Sequence, residues 1–214
     1  MAGPHVPPQH SAQQEGAEAC FVHAWAAFST GDFDAALQAF TEAIQLDPAF
    51  VQAHVDRAGV HETLEALPAA LDGYSAALVL SPDDAWIYIL RGGVHVQMDN
   101  HPAALADYAT AIRLQPEEAL AYSRRGDVYH ALGNLDAAIA DYTAALTIDP
   151  RQNLAYAGRA AARAALWGSG MDRDDGVRAA ALEDYERYLR LRPDAPDRAE
   201  VEAAIGALRR TRDE

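Results

Sequence analysis

The residues of this chain that could do chemistry are few, and each set breaks off before its chemistry is complete. His61-Glu62-Thr63-Leu64-Glu65 opens like a zinc-peptidase helix, in which two histidines four residues apart hold the metal and the glutamate is the base. Glu65 stands where the second histidine must be. Asp172, Asp174 and Asp175 resemble the start of a calcium loop, but Gly176 comes one place too early for its sharp turn. His61 and His95 lie one repeat apart and read as packed core histidines rather than as a metal pair. The single cysteine, Cys20, has no partner for a disulfide and reads as a buried, inert thiol. There is no glycine-rich phosphate loop, nucleophile elbow or Cys-x-x-Cys pair. The expectation is a protein with no enzymatic activity, no metal and no cofactor.

One charged series is regular. Arg57, Arg91, Arg125 and Arg159 follow one another at intervals of 34 residues. A row of guanidinium groups could clamp phosphates or carboxylates in forked pairs. The same interval separates Pro48, Pro82, Pro116 and Pro150, so the ladder belongs to an internal repeat. Counted back from the prolines, the repeats are 17–50, 51–84, 85–118 and 119–152, and the arginines fall at the seventh place. Repeats three to five carry aspartate at place 23, as Asp107, Asp141 and Asp184, whereas the first repeat has His23 and Ala39 at the two places. Arginine and aspartate therefore occur together, which predicts a pairing inside each repeat rather than a free anion clamp. Arg57, opposite Gly73, is the exception, although Asp72 adjoins it.

The other recurring residues say how each repeat is built. Small residues occupy places 8 and 20: Ala24 and Ala36, Ala58 and Ala70, Gly92 and Ala104, Gly126 and Ala138. Two helices come closest where such residues meet. An aromatic at place 24 (Phe40, Tyr74, Tyr108, Tyr142) and alanine at place 27 (Ala43, Ala77, Ala111, Ala145) continue one stripe of a second helix. Gly31-Asp32, Asp99-Asn100 and Gly133-Asn134 mark turns between helices, and Pro68 and Pro102 suit the first turn of a second helix.

This pattern of small residues, aromatic, alanine and proline resembles the tetratricopeptide repeat family over residues 17 to about 152. A fifth unit, 153–195, has Tyr156, Arg159 and Ala160 in register, and Ala181, Tyr185 and Pro193 follow after a nine-residue insertion. The insertion, 168–176, reads as a mobile loop. Residues 196–214 read as a capping helix with Val201, Ile205 and Leu208 on one face, and 1–16 as disordered. The resemblance implies an all-α, right-handed superhelical solenoid of antiparallel helix hairpins, about five units plus the cap.

Composition narrows the partners. The net charge of −15 disfavours nucleic acid and anionic membrane. No apolar run approaches the ~18–20 residues of a membrane span. All 17 basic residues are arginine, which with the abundant alanine and glycine reads as the coding bias of a GC-rich bacterial genome. One cysteine and no secretory signal at the start suggest the cytoplasm.

The resemblance also implies where a partner would sit. In this family the first helices line a concave groove, chiefly through places 2, 5, 9, 12 and 13. Carried onto this chain, with neighbouring Arg124, they nominate Phe21, Trp25, Phe28, Val55, Trp86, Ile89, Leu120, Arg124 and Asp127, with Gly59 and Gly93 leaving room. The lysine–asparagine clamp of chaperone adaptors is replaced by Phe21, Trp25, Asp56, Ile89 and Gly93. The asparagine ladder of sugar-transfer relatives is replaced by Val22, Asp56, Leu90, Arg124 and Gly158. What remains is an apolar, aromatic groove. The expected function is a non-catalytic scaffold or adaptor that holds an apolar peptide or amphipathic helix. The alternative is a self-assembling homo-oligomer that uses the aromatic first hairpin as its interface.

Overall fold

The computed structural model of the chain describes residues 9–170 and 174–210. Eleven α-helices and no strand occur among the described residues: α1 (Gln9–Ser29), α2 (Phe33–Leu46), α3 (Val51–Thr63), α4 (Leu67–Leu80), α5 (Ala85–Gln97), α6 (His101–Leu114), α7 (Ala119–Ala131), α8 (Leu135–Ile148), α9 (Asn153–Gly168), α10 (Asp175–Leu191) and α11 (Arg198–Arg210). The chain divides at Ala103/Ala104 into two compact units. The first packs α1 on α2, α3 on α4, and each hairpin on the next helix. The second does the same with α7, α8, α9 and α10, and α11 closes it against α10.

Both ends of each hairpin follow from backbone chemistry. A residue before proline is driven out of the helical region by the ring. Asp47, Ser81, Asp149 and Arg192 accordingly have φ near −130° with ψ of 93°, 77°, 98° and 78°, and α2, α4, α8 and α10 stop there. The turn inside the hairpin recurs just as strictly. Gly31, Glu65, Asp99 and Gly133, one repeat apart, have φ of 81°, 57°, 55° and 74°. In each case the next N–H bonds back across the turn: Asp32 to Ala27, Ala66 to His61, Asn100 to His95 and Asn134 to Tyr129, at 2.8–3.0 Å. These are left-handed caps, which glycine adopts without strain and glutamate does not.

The helices of a hairpin touch through their small residues. Ala24, Ala36, Ala58, Ala70, Ala138, Ala160 and Ala181 are fully buried, and Phe40, Tyr74 and Tyr142 beside them are at most 2% exposed. A Cβ on Gly73 would lie 2.8 Å from that of Ala58, so no side chain fits there. Gly126 and Gly158 press on Tyr142, where added Cβ atoms would come within 3.0 and 2.5 Å of its ring. The tyrosine is thus clasped between two first helices.

The arginine ladder works as structure in two directions. Arg125 donates from Nε and Nη2 to both oxygens of Asp141 at 2.7 and 2.8 Å, and Arg159 does the same to Asp184 at 2.8 Å. These join the two helices of one hairpin. Arg57, Arg91 and Arg159 also donate backward to a hydroxyl of the preceding repeat: Thr41 at 3.2 Å, Ser75 at 3.3 Å and Thr143 at 3.1 Å. The equivalent place before Arg125 is Ala109, which has no hydroxyl.

Two expectations need correction, and a third gains detail. The segment 1–16, expected to be disordered, is helical from Gln9 onward; past Pro8 no proline interrupts a run of good helix formers, and Gly16 packs beside Leu46. Residues 1–8 lie outside the described residues. The 168–176 insertion is entered by helix at both ends, at Gly168 and at Asp175–Gly176, with a turn at Ser169–Gly170. Relative to the earlier repeats, α9 has 16 residues against 13 and α10 has 17 against 14. Asp174 caps α10, accepting from Gly176 N–H at 2.8 Å, while residues 171–173 lie outside the described residues. Just past the insertion, at the place of Leu135 in the repeat before, Arg178 is buried, pairs with Asp175 at 3.0 Å and donates to the Leu208 carbonyl of α11 at 3.1 Å. Finally, Cys20 is half-buried rather than enclosed. It occupies the outer side of α1, with Sγ 4.0 Å from a Glu42 carboxylate oxygen.

Two outcomes follow from these contacts. Glu65→Gly should raise stability by about 1 kcal/mol in chemical denaturation, because it removes a left-handed penalty at an exposed cap. Arg125→Ala should lower stability by about 1–3 kcal/mol by leaving Asp141 buried and unpaired. A double-mutant cycle with Asp141→Ala should show coupling; additive losses would mean that the forked pair contributes nothing.

Candidate functional site

The face presented by the first helices of the first unit contains a cleft of about 230 Å³. Trp25 and Phe28 of α1 lie on one side, and Trp86 and Leu90 of α5 on the other. Between them Val55, Asp56, Gly59 and Val60 of α3 line it, with Phe40 and Tyr74 reaching through from the second helices. On α5 the spacing Trp86–Leu90 is i, i+4, which puts both side chains on one helical face. Gly93, a turn further on, has open space where a Cβ would be.

Trp25 is half exposed yet fixed in orientation. Its indole N–H donates to Asp56 Oδ2 at 2.9 Å, and its ring meets Phe28 and Phe40 edge-on with centroids 5.4 and 6.3 Å away. Gln52 donates to the other Asp56 oxygen at 2.8 Å. Asp56 is therefore satisfied, and burial raises its pKa above the ordinary 3.8, against the two hydrogen bonds that lower it. Trp86 is 49% exposed, and its indole makes no hydrogen bond among the described residues. Tyr74 donates to Glu62 at 3.1 Å at the edge of the cleft, and burial raises its hydroxyl pKa so that it stays a donor.

Of the nine nominated residues, the cleft brings together Trp25, Phe28, Val55 and Trp86. Ile89 is a correction: it is 5% exposed and does not line the cleft. At 3.6 residues per turn it points about 100° away from Leu90, which takes its place. Phe21 is half-buried against Phe40 and Phe50, with centroids 5.6 and 4.9 Å away, and contributes to the hairpin rather than to the cleft. Leu120, Arg124 and Asp127 belong to α7 in the second unit. There Arg124 and Asp127 face each other at 3.8 Å, both about half exposed, and Tyr142 donates to Asp127 at 2.7 Å.

Sequence reasoning missed Phe40, Asp56, Val60, Tyr74 and Leu90, which are not at the nominated places, and Gln52, which stands at place 2. The Trp25–Asp56 bond joins place 9 of one repeat to place 6 of the next, so an indole beside a carboxylate at those places was the available signal. His61 and His95 are half-buried, and burial lowers the His61 pKa, with Arg57 adding to the shift. No group of three or more His, Cys, Asp or Glu that could hold a metal occurs among the described residues. Nor is any helix among them long and apolar enough to cross a membrane.

Stacked hairpins bearing such a cleft define a helical-repeat protein built to present a side-chain surface. The family model for the tetratricopeptide repeat matches residues 21–85 and 90–153, and the chain belongs to that family. Among curated proteins none matches it. Several solved structures share the fold. The MamA protein is 23% identical over 87% of this chain and 95% of its own, with a TM-score of 0.69. YrrB, a TPR protein with an unusual peptide-binding site, is 20% identical over 92% and 98%, with a TM-score of 0.67. PilF of Pseudomonas aeruginosa is 16% identical over 92% and 90%, with a TM-score of 0.73.

The Asp56 environment has a measurable sign. The folded chain holds this proton more tightly than the unfolded one, so its contribution to stability falls as pH rises from 3.8 through the folded value and is constant above it. The indole N–H resonance of Trp25, assigned by its loss in Trp25→Phe, should titrate with a midpoint above 3.8. In Asp56→Asn it should be flat; a midpoint at or below 3.8 would contradict the burial argument.

Proposed function

We propose that this protein is a non-catalytic interaction scaffold that holds an apolar peptide or amphipathic helix across the first helices of its first unit. Tetratricopeptide repeats serve in general as surfaces for protein partners, and the solved relative YrrB has a peptide-binding site. The observation that carries the finer reading is the pair of large side chains flanking the cleft: Trp25 is 44% and Trp86 49% exposed. Exposed tryptophan beside an apolar floor is costly in water and productive in an interface, where aromatics supply most of the binding energy. The cleft is the size of one or two bulky side chains. Its one carboxylate, Asp56, is already engaged by Trp25 and Gln52, so apolar contact is what it offers. Because Trp25 is locked by its own bonds, little side-chain entropy is lost when a ligand arrives. The lone Cys20 fits a reducing cytoplasmic setting.

Peptides selected from a random library against the whole chain should be rich in Phe, Leu or Trp. Trp86→Ala should weaken them by about 2 kcal/mol with far-UV helicity unchanged. The result should depend little on added salt. If the chain instead doubles in mass on concentration, and Trp25→Ala or Trp86→Ala returns it to a monomer, the cleft is a self-association surface and the adaptor reading fails.

A further inference from the structure

One face of the last hairpin is charged where the hairpin before it is not. Where α7 and α8 carry Tyr129, Ala140, Ala144 and Thr147, the corresponding places of α9 and α10 carry Arg163, Glu183, Arg187 and Arg190. With Tyr156, Arg159 and Asp184 these line an open cleft of about 440 Å³. It lies wholly within the second unit and is independent of the tryptophan-flanked cleft.

Its charges do not balance. In the α7–α8 hairpin one arginine has one aspartate. Here two arginines share one: Arg159 takes both oxygens of Asp184 at 2.8 Å, and Arg163 Nη1 adds a third contact to Oδ2 at 2.5 Å. The Asp184 side chain is 5% exposed, and those of Arg159 and Arg163 are 14% and 21% exposed. The other hydrogen bond of Arg163 is a long one, 3.5 Å to the Ala180 carbonyl. Burial lowers the Arg163 pKa despite the attraction of Asp184, and the charge of Arg159 lowers it further. At the mouth, Arg187 makes no ion pair among the described residues, and Arg190 reaches only Glu186, at 4.0 Å. Glu183 is the one other acid lining the cleft.

A largely buried guanidinium without a counter-ion of its own is costly, and forked pairing with a carboxylate is the geometry that relieves it. We propose that this cleft binds the carboxylates of a short acidic segment of a protein partner, with Arg163 and Arg187 as the pairing groups and Arg190 at the rim. The remainder of the chain favours that choice over a long polyanion. With a net charge of −15 the protein repels nucleic acid, whereas a few glutamates reach the cleft within the roughly 8–10 Å over which salt leaves a local charge unscreened. The scaffold would then carry two different contacts, one apolar and one ionic.

The test is fluorescence anisotropy of a labelled hexaglutamate peptide with the full chain at low ionic strength. Arg187→Glu should weaken binding by about tenfold or more, since an exposed attraction becomes a repulsion at the point of contact. Arg151→Glu makes the same charge change at an exposed arginine outside the cleft and should bind as the parent does. Glu183→Gln should tighten binding, and added sodium chloride should weaken it. Arg163→Leu should lose binding without a lower melting temperature, because the forked Arg159–Asp184 pair is untouched; a merely structural Arg163 would lower the melting temperature and leave binding intact. No saturable binding, equal weakening by Arg151→Glu and Arg187→Glu, or inorganic phosphate bound where the peptide is not would each overturn the proposal.

Discussion

Everything in this fold depends on how closely the two helices of a hairpin approach. Alanine or glycine stands at both contact places in every repeat, and the space between them is full: beside Ala58, Gly73 has no room even for a methyl group. That approach brings the aromatic of the second helix through to the far side of the first. Tyr74 and Tyr142 span their hairpins and end with hydroxyl groups on Glu62 and Asp127. It also sets the reach of the arginine ladder, since a guanidinium can fork onto an aspartate of the facing helix only at short range. One larger residue at the contact would displace the ring, the ion pair and the neighbouring repeat together.

The arginines perform a second task. By donating back to Thr41, Ser75 and Thr143, Arg57, Arg91 and Arg159 tie the second, third and fifth repeats to the one before. A repeat protein is held by nearest-neighbour contacts, so such ties decide whether it frays from an end. At the C-terminal end the chain uses an additional device. Arg178, at the place held by Leu135 in the repeat before, stacks over Trp167 at 5.8 Å and bonds the end of α11. Asp175, within the insertion, pairs with that arginine.

Against this regular frame, departures from the repeat carry the functional argument. The first unit gathers its aromatics where the first helices are open to solvent, and the last hairpin gathers arginines where its predecessor has tyrosine, alanine and threonine. Neither change improves the packing rule, which is satisfied by alanine and tyrosine throughout. Side chains that break a repeat without serving its core are the ones free to meet another molecule.

The sequence alone determined the repeat, because proline, small residues and φ-tolerant turn residues each act through the local backbone and recur every 34 residues. The hairpin boundaries, the stripe Phe40, Tyr74, Tyr142 and the forked Arg125–Asp141 pair were legible for that reason. Tertiary structure alone decided what depends on rotation by part of a helical turn or on contacts between repeats. It sent Ile89 inward and Leu90 outward, joined Trp25 to Asp56 across 31 residues of chain, and drew helix from Gln9 onward. It also placed Arg163 on a carboxylate already taken by Arg159. Spacing identifies which residues share a helix face, but the neighbouring helix decides whether that face is closed, and only closure turns a surplus arginine or an exposed indole into a site.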